Sequence, residues 1–240
     1  MTETDGALAT RLATEAGRLL MKVRGSGDGP AGDQAAQVFL AAQLNAHRAD
    51  DAVLSEEAPD DPRRLAAERV WIIDPLDGTR EFAERGRVDW AVHVALWQRG
   101  VLTAGAVALP ALGRTFDAEA PEQVSPRGKV RLVVSRTRPP AFAERLAAAV
   151  HGELVPMGSA GAKAMAVVRG TADAYVHAGG MYEWDSAAPV AVARAAGLHT
   201  SRIDGSPLVY NRPDPWLPDL LICRPELARV LLAELEGVAA

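Results

Sequence analysis

The stretch Trp71-Ile-Ile-Asp74-Pro75-Leu76-Asp77-Gly78-Thr79-Arg80-Glu81-Phe82 is the most informative in the chain. Residues 70–73 (Val-Trp-Ile-Ile) form a short apolar run typical of a buried strand. Asp74-Pro75 should end it, because proline cannot donate to a strand ladder. Two carboxylates, Asp74 and Asp77, therefore emerge together from the protein interior. Acids in such a place are costly unless paired or bound to a cation. Hard cations such as Mg2+ favour oxygen ligands, and the Leu76 carbonyl can join the two carboxylates. Gly78-Thr79 adds backbone N–H groups at the turn, which suit an anion. An isolated Asp-Gly would be read as a turn alone, but here twelve residues need a common explanation.

Working outward, Leu8, Leu12, Leu19, Leu20 and Val23 fall on one face at helical spacing, predicting an amphipathic helix over about 6–23. Gly25-Ser-Gly-Asp-Gly-Pro-Ala-Gly32 reads as a flexible loop, with Asp33 capping a helix that runs to about Arg48. A strand over about 88–97 places Val88, Trp90, Val92, Val94 and Leu96 on one face, and turns at Arg99-Gly100 into a partner over 101–109. The polar, proline-containing stretch 118–129 divides the chain into halves, 1–122 and 123–240. Beyond it come a strand over 130–135, helices over 140–150 and 163–170, a strand over 172–177 and a helix over 185–196. Such alternation predicts a layered α/β or α+β architecture.

Composition narrows the function classes. The 240 residues carry 26 Lys+Arg against 31 Asp+Glu, a net charge of −5. An acidic chain without a basic block is poorly suited to gripping DNA or RNA. At 48% hydrophobic and 24% charged residues, disorder is excluded as the main state. No apolar run approaches the ~20 residues of a membrane-spanning helix, and Met1 to Gly6 lacks the basic start and apolar core of a signal peptide. These features predict a cytoplasmic protein without membrane partners. The single cysteine, Cys223, excludes a disulfide framework and reads as an inert buried thiol. His93 alternates with apolar residues and reads as a core histidine rather than a ligand.

The string from Asp74 to Phe82 resembles the signature of the inositol monophosphatase superfamily of Mg2+-dependent, lithium-sensitive phosphatases, Asp-Pro-Leu-Asp-Gly-Thr-x-Glu-Phe. Val53-Leu-Ser55-Glu56-Glu57 upstream and Trp184-Asp185-Ser186-Ala187-Ala188-Pro189 downstream match two further family segments, in the family's order. The likeness spans about residues 5–224. It implies an α+β fold with layers in the order αβαβα. It also implies two or more Mg2+ held by Glu56, Asp74, the Leu76 carbonyl, Asp77 and Asp185, with Trp184 bracing Asp185. Asp33 would hold Thr79, Thr79 would orient the attacking water, and Glu56 would hold metal and water together. The segment Gly-Pro-Ala-Gly before Asp33 departs from the family, which carries a Thr there and a Lys further upstream.

Within the superfamily, Glu81-Phe82, Leu54-Ser55-Glu56-Glu57 and Val133-Val-Ser135-Arg136-Thr-Arg138 resemble the 3′(2′),5′-bisphosphate nucleotidases of the CysQ type. The activity implied is hydrolysis of 3′-phosphoadenosine 5′-phosphate to AMP and phosphate, as part of sulfate assimilation. Gly78, Thr79, Ser135, Arg136, Arg138, Gly158, Ser159, Lys163 and Asp185 would then contact substrate. Gly158 to Lys163 would meet a second phosphate or the sugar at a helix start. Inositol 1-phosphatase, fructose 1,6-bisphosphatase and a non-catalytic nucleotide or Mg2+ sensor are the alternatives. The expected partner is a small phosphorylated nucleotide, and a homodimer is compatible with this reading.

Overall fold

A computed structural model describes residues 3–26, 29–119 and 128–238. The chain opens with helix α1 (Asp5–Val23), where the Thr4 hydroxyl accepts the Ala7 N–H at 3.1 Å. Helix α2 (Gly29–His47) follows. Next come β1 (Ala52–Ser55), β2 (Arg69–Asp77), the short helix α3 (Thr79–Ala83), β3 (Ala91–Gln98), β4 (Val101–Leu109) and β5 (Arg114–Asp117). The remainder comprises β6 (Arg131–Ser135), α4 (Ala143–Ala149), β7 (Glu153–Met157), α5 (Ala160–Val168), β8 (Ala174–Tyr182), α6 (Glu183–Ala195), β9 (His199–Ser201), β10 (Trp216–Cys223) and α7 (Pro225–Leu235).

The strands form two five-stranded sheets, ordered β1-β2-β3-β4-β5 and β7-β6-β8-β10-β9. In the first, β1 and β2 are parallel and the rest antiparallel. In the second, β6 runs parallel to β7 and β8, while β10 is antiparallel to β8 and β9. Strand alternation assigns the layers. Trp71 and Ile73 of β2 pack with Leu8, Leu12 and Leu40 of α1 and α2, whereas Val70 and Ile72 pack with α5, α6 and the inner face of the second sheet. Leu132, Val134 and Leu221 on that sheet's outer face meet Leu146 of α4 and Leu231 of α7. The order is αβαβα, the five layers that the resemblance implies. At about 1.5–3 kcal/mol per fully buried aliphatic side chain, Leu8, Leu12 and Leu20 anchor α1 far more firmly than the exposed Arg11–Glu15 pair, a contact worth below about 1 kcal/mol.

Helix α6 is the layer that carries Asp185, and one glycine fixes its depth. A Cβ on Gly105 of β4 would press into Ala191 and stand 3.3 Å from the Ala188 carbonyl. Only glycine lets the helix lie this close to the first sheet.

Three local expectations are corrected. β2 does not stop at Asp74 but continues through Pro75 to Asp77, with a register shift between Asp74 and Asp77 opposite β3. A bulge absorbs a proline that a regular ladder cannot. Helix α2 starts at Gly29, so Asp33 lies inside it rather than capping it; Pro30 fits a first turn, where its missing N–H is no loss. Helix α6 starts at Glu183 rather than at Asp185, which is therefore its third residue. The division at 122/123, and residues 27 and 28 of the glycine-rich loop, lie outside the described residues.

Candidate active site

In a regular strand Asp74 and Asp77, three apart, would point to opposite faces. The bulge in β2 removes that alternation. Oxygen atoms of Asp74, Asp77 and Asp185 lie within 4.8 Å of one another, two carboxylates from the first sheet and one from the start of α6. Asp74 is fully buried, its Oδ1 accepting the Leu76 N–H at 3.0 Å. Asp185 is positioned by the Tyr182 N–H, which donates to its Oδ2 at 2.7 Å.

Asp77 is held from behind. Its Oδ2 accepts the Ser159 hydroxyl at 2.5 Å and the Gly161 N–H at 2.7 Å, both at the N-terminus of α5. His93 Nε2 stands 3.3 Å from the same oxygen, close enough for charge attraction although out of line for a hydrogen bond. Burial works against the charged form here. The His93 ring, the Lys163 ammonium and the Ser159 hydroxyl overcome it and hold the Asp77 carboxyl down at about 2.

The neighbouring acids shift the other way. Burial, followed by repulsion from Asp77 and Glu56, drives Asp74 well above the usual carboxylate range. Burial and then Asp77 raise Asp185 to about 6. Burial and then Glu57 raise Asp33 to about 7. Glu56 lines the cleft wall outside the tight group of three; burial within the cleft and then Asp185 raise it to about 8. Asp74 Oδ2 and Asp33 Oδ1 are buried without a hydrogen-bond partner among the described residues. An all-oxygen, anionic donor set with an unsatisfied buried oxygen fits a hard divalent cation.

Thr79 stands beside this group. Its hydroxyl reaches Asp33 Oδ2 at 3.5 Å and the Leu76 carbonyl at 3.3 Å. Gly29 passes so near that a Cβ there would overlap the Thr79 methyl and stand 3.2 Å from the Thr79 carbonyl. Only glycine fits at this close approach.

The carboxylates open into a cleft of about 490 Å³, whose walls include Gly78, Ser135, Arg138, Lys163 and Trp216. Several residues expected to meet substrate, Arg136, Gly158, Ser159 and Lys163, line this cleft and also bond to protein groups. Arg136 donates to Glu81 at 2.6 Å and to Glu84 at 2.5 Å, joining the two halves of the chain. The Gly158 N–H donates to Asp89 at 2.6 Å. The Ser159 hydroxyl serves Asp77 and also accepts the Ala162 N–H. Lys163 is buried, donating to the Ser159 carbonyl at 2.6 Å with its ammonium 5.2 Å from the Tyr175 ring centre. Arg138 is exposed at the cleft, and no carboxylate pairs with it among the described residues.

His93 is buried, as its apolar surroundings predict, yet it borders the acids: Nδ1 lies 3.0 Å from the Trp184 carbonyl. Pairing of β2 with β3 puts His93 directly opposite Asp74. A hairpin register worked out across the two strands would have revealed this. Glu81, which belongs to the central motif, borders the site; so do Asp89, Tyr175, Tyr182 and Trp216, and no local motif marks these four.

The sequence profile described as the inositol monophosphatase family matches residues 9–238. A Mycobacterium leprae protein named 3′-phosphoadenosine 5′-phosphate phosphatase is 52% identical over 98% of this chain and 94% of its own length. The Escherichia coli K12 protein named 3′(2′),5′-bisphosphate nucleotidase CysQ is 32% identical over 78% of this chain and 81% of its own. Among solved structures, CysQ from Bacteroides thetaiotaomicron, described as a bacterial member of the inositol monophosphatase family, superposes with a TM-score of 0.77. It is 26% identical, over 92% of this chain and 97% of that one.

Proposed function

The chain belongs to the inositol monophosphatase family, and on that premise we propose that it removes the 3′-phosphate of 3′-phosphoadenosine 5′-phosphate, releasing AMP and phosphate. It is a hydrolase of phosphomonoesters, in a metal-dependent family, with an aspartate cluster able to bind metal. The observation that carries the proposal is the meeting of Asp74, Asp77 and Asp185 in one cleft of a chain 52% identical to a protein named for that activity. We take the metal to be Mg2+, which the all-oxygen donor set suits, with two or more per site as the family resemblance implies.

Asp74, Asp77, Asp185 and the Leu76 carbonyl would hold the metal, with Glu56 completing the set from the cleft wall. Bound there, it supplies positive charge and Lewis acidity for phosphoryl transfer. The chain's own groups handle the water. Thr79 donates its hydroxyl proton to Asp33 Oδ2 or the Leu76 carbonyl, which leaves a lone pair to accept an O–H of the attacking water. That water's free lone pair then faces phosphorus, opposite the leaving oxygen. The water oxygen bonds to phosphorus as the bond to the ribose 3′-oxygen breaks; one hydrogen of the water stays on the released phosphate, and the other proton reaches the ribose oxygen through solvent. Arg138, exposed at the cleft, would meet a second phosphate.

The ligand on this reading is a small nucleotide. No helix among the described residues is long and apolar enough to cross a membrane, and we assign the protein to the cytoplasm. Phosphate release with Mg2+ tests the proposal. The expected order of kcat/KM puts 3′-phosphoadenosine 5′-phosphate above inositol 1-phosphate and fructose 1,6-bisphosphate. A reversed order contradicts the nucleotide assignment and leaves the phosphatase intact.

A further inference from the structure

The cleft that holds the carboxylates also carries aromatic rings on its wall. Trp71, Trp90, Phe82 and Tyr175 are fully buried, but Tyr182 is 42% exposed and Trp216 41%, and both line the cleft. Two large rings left in water side by side mark a surface made for a ligand.

The rings are fixed in place. Tyr182 stacks on Trp184 with centroids 4.6 Å apart and planes 13° from parallel, and meets Trp216 edge to face at 5.3 Å and 80°. Trp216 and Tyr182 are also paired across β10 and β8. Gly180 has φ +92° and lies against the indole, so that a Cβ there would fall inside the Trp216 ring. Glu183, buried, accepts the N–H groups of Asn211 and Arg212 at 2.6 and 2.9 Å, and its own N–H donates to the Pro215 carbonyl at 2.9 Å. The segment that delivers Trp216 is thereby tied to the residue after Tyr182. Rings held in this way lose little freedom when a ligand docks.

Their distance from the chemistry is also set. The Tyr182 N–H donates to Asp185, so the aromatic wall and the carboxylate group share one turn. A phosphate at the acids leaves the rest of its molecule to lie along this wall.

We propose that Tyr182 and Trp216 are a stacking platform for the substrate's purine base, and that they select a nucleoside bisphosphate over a polyol phosphate. The inference rests on the nucleotide reading given above. Purines present a π-face that stacks on aromatic rings, whereas a saturated polyol presents none. Loss of one such ring weakens binding by about 5- to 150-fold.

The test compares 3′-phosphoadenosine 5′-phosphate with the base-free ribose 3,5-bisphosphate, by kcat/KM, in wild type, Tyr182→Ala, Trp216→Ala, Tyr182→Phe and Trp216→Phe. Wild type should prefer the base-bearing substrate. Each alanine variant should lower that preference by about 5- to 150-fold, mainly through KM, and phenylalanine should restore it. Because the readout is a ratio within one protein, a partly unfolded variant does not mimic the result. A preference unchanged in the alanine variants, or no preference in wild type, overturns the platform and leaves the phosphatase. Phenylalanine variants as impaired as the alanine ones overturn it too. Wild type that releases phosphate from neither compound contradicts the function itself, and the platform with it.

Discussion

The two ends of the cleft are built on different plans. At the carboxylate end, Asp74 and Asp77 come from one bulged strand; the Ser159 hydroxyl and the Gly161 N–H donate to a single oxygen of Asp77, and the His93 ring stands beside it. At the aromatic end, Tyr182 and Trp216 come from separate strands, stand half in water, and rely on Gly180 and Glu183 for their placement. One end concentrates charge that the fold alone does not satisfy; the other offers shape and π-surface. The contrast separates what the site can do to a phosphate from which phosphate it is offered.

The sharpest way to break the contrast is at the acids. Asp74→Asn or Asp77→Asn removes a group proposed to hold metal. A metal contributes several kcal/mol of charge stabilisation, so at 1.36 kcal/mol per tenfold turnover should fall by about a thousandfold or more in steady-state assays. Turnover within tenfold of wild type would remove these residues from the centre. Ser159→Ala is the intermediate case. It should weaken metal affinity by about 10- to 100-fold, measured by Mg2+ titration, and lower stability by about 1 kcal/mol through the lost helix cap. Unchanged metal affinity would reduce Ser159 to a cap alone. The ring substitutions act later and on one substrate class only, which is what the contrast requires of them.

The smallest effect is on pH. Asp33 at about 7, Glu56 at about 8 and Asp185 at about 6 are raised by burial and by neighbouring acids, from unfolded values near 4. For acids raised on folding, the stability they contribute is present below the unfolded values and lost as pH climbs through the folded ones. Metal-free protein therefore loses this contribution between about pH 4 and pH 8. Asp77, held at about 2, contributes an opposite slope only at the acid end of that window, below about pH 5, where its unfolded carboxyl still binds protons. Protons and metal compete for the same oxygens, so the Tm gained on adding Mg2+ should grow from pH 5 to pH 8. A gain independent of pH would show that the acids do not share one charge problem.

The carboxylate end is legible in the sequence because its pieces are short contiguous strings: residues 71–82, 53–57 and 184–189. The layering is legible for a related reason, since period-two apolar strands alternating with helices admit few architectures. What escapes a linear reading depends on register. The bulge that turns Asp74 and Asp77 to one side follows from how β2 meets β3, not from the residues of β2 alone. Arg136 and Ser159 carry groups suited to phosphate, yet their nearest partners are Glu81 and Asp77 from the other half of the chain. Tyr182 and Trp216 become neighbours only through the pairing of β8 with β10. Local chemistry predicts charge well, and allegiance between distant residues poorly.

The most direct measurement follows phosphate released from 3′-phosphoadenosine 5′-phosphate by the wild-type protein, first stripped of divalent cations with a chelator and then titrated with Mg2+. The rate should be absent after stripping and rise saturably as Mg2+ is restored. A full rate in the presence of the chelator, or no rate at any Mg2+ concentration, would contradict a metal-dependent nucleotide phosphatase built on Asp74, Asp77 and Asp185.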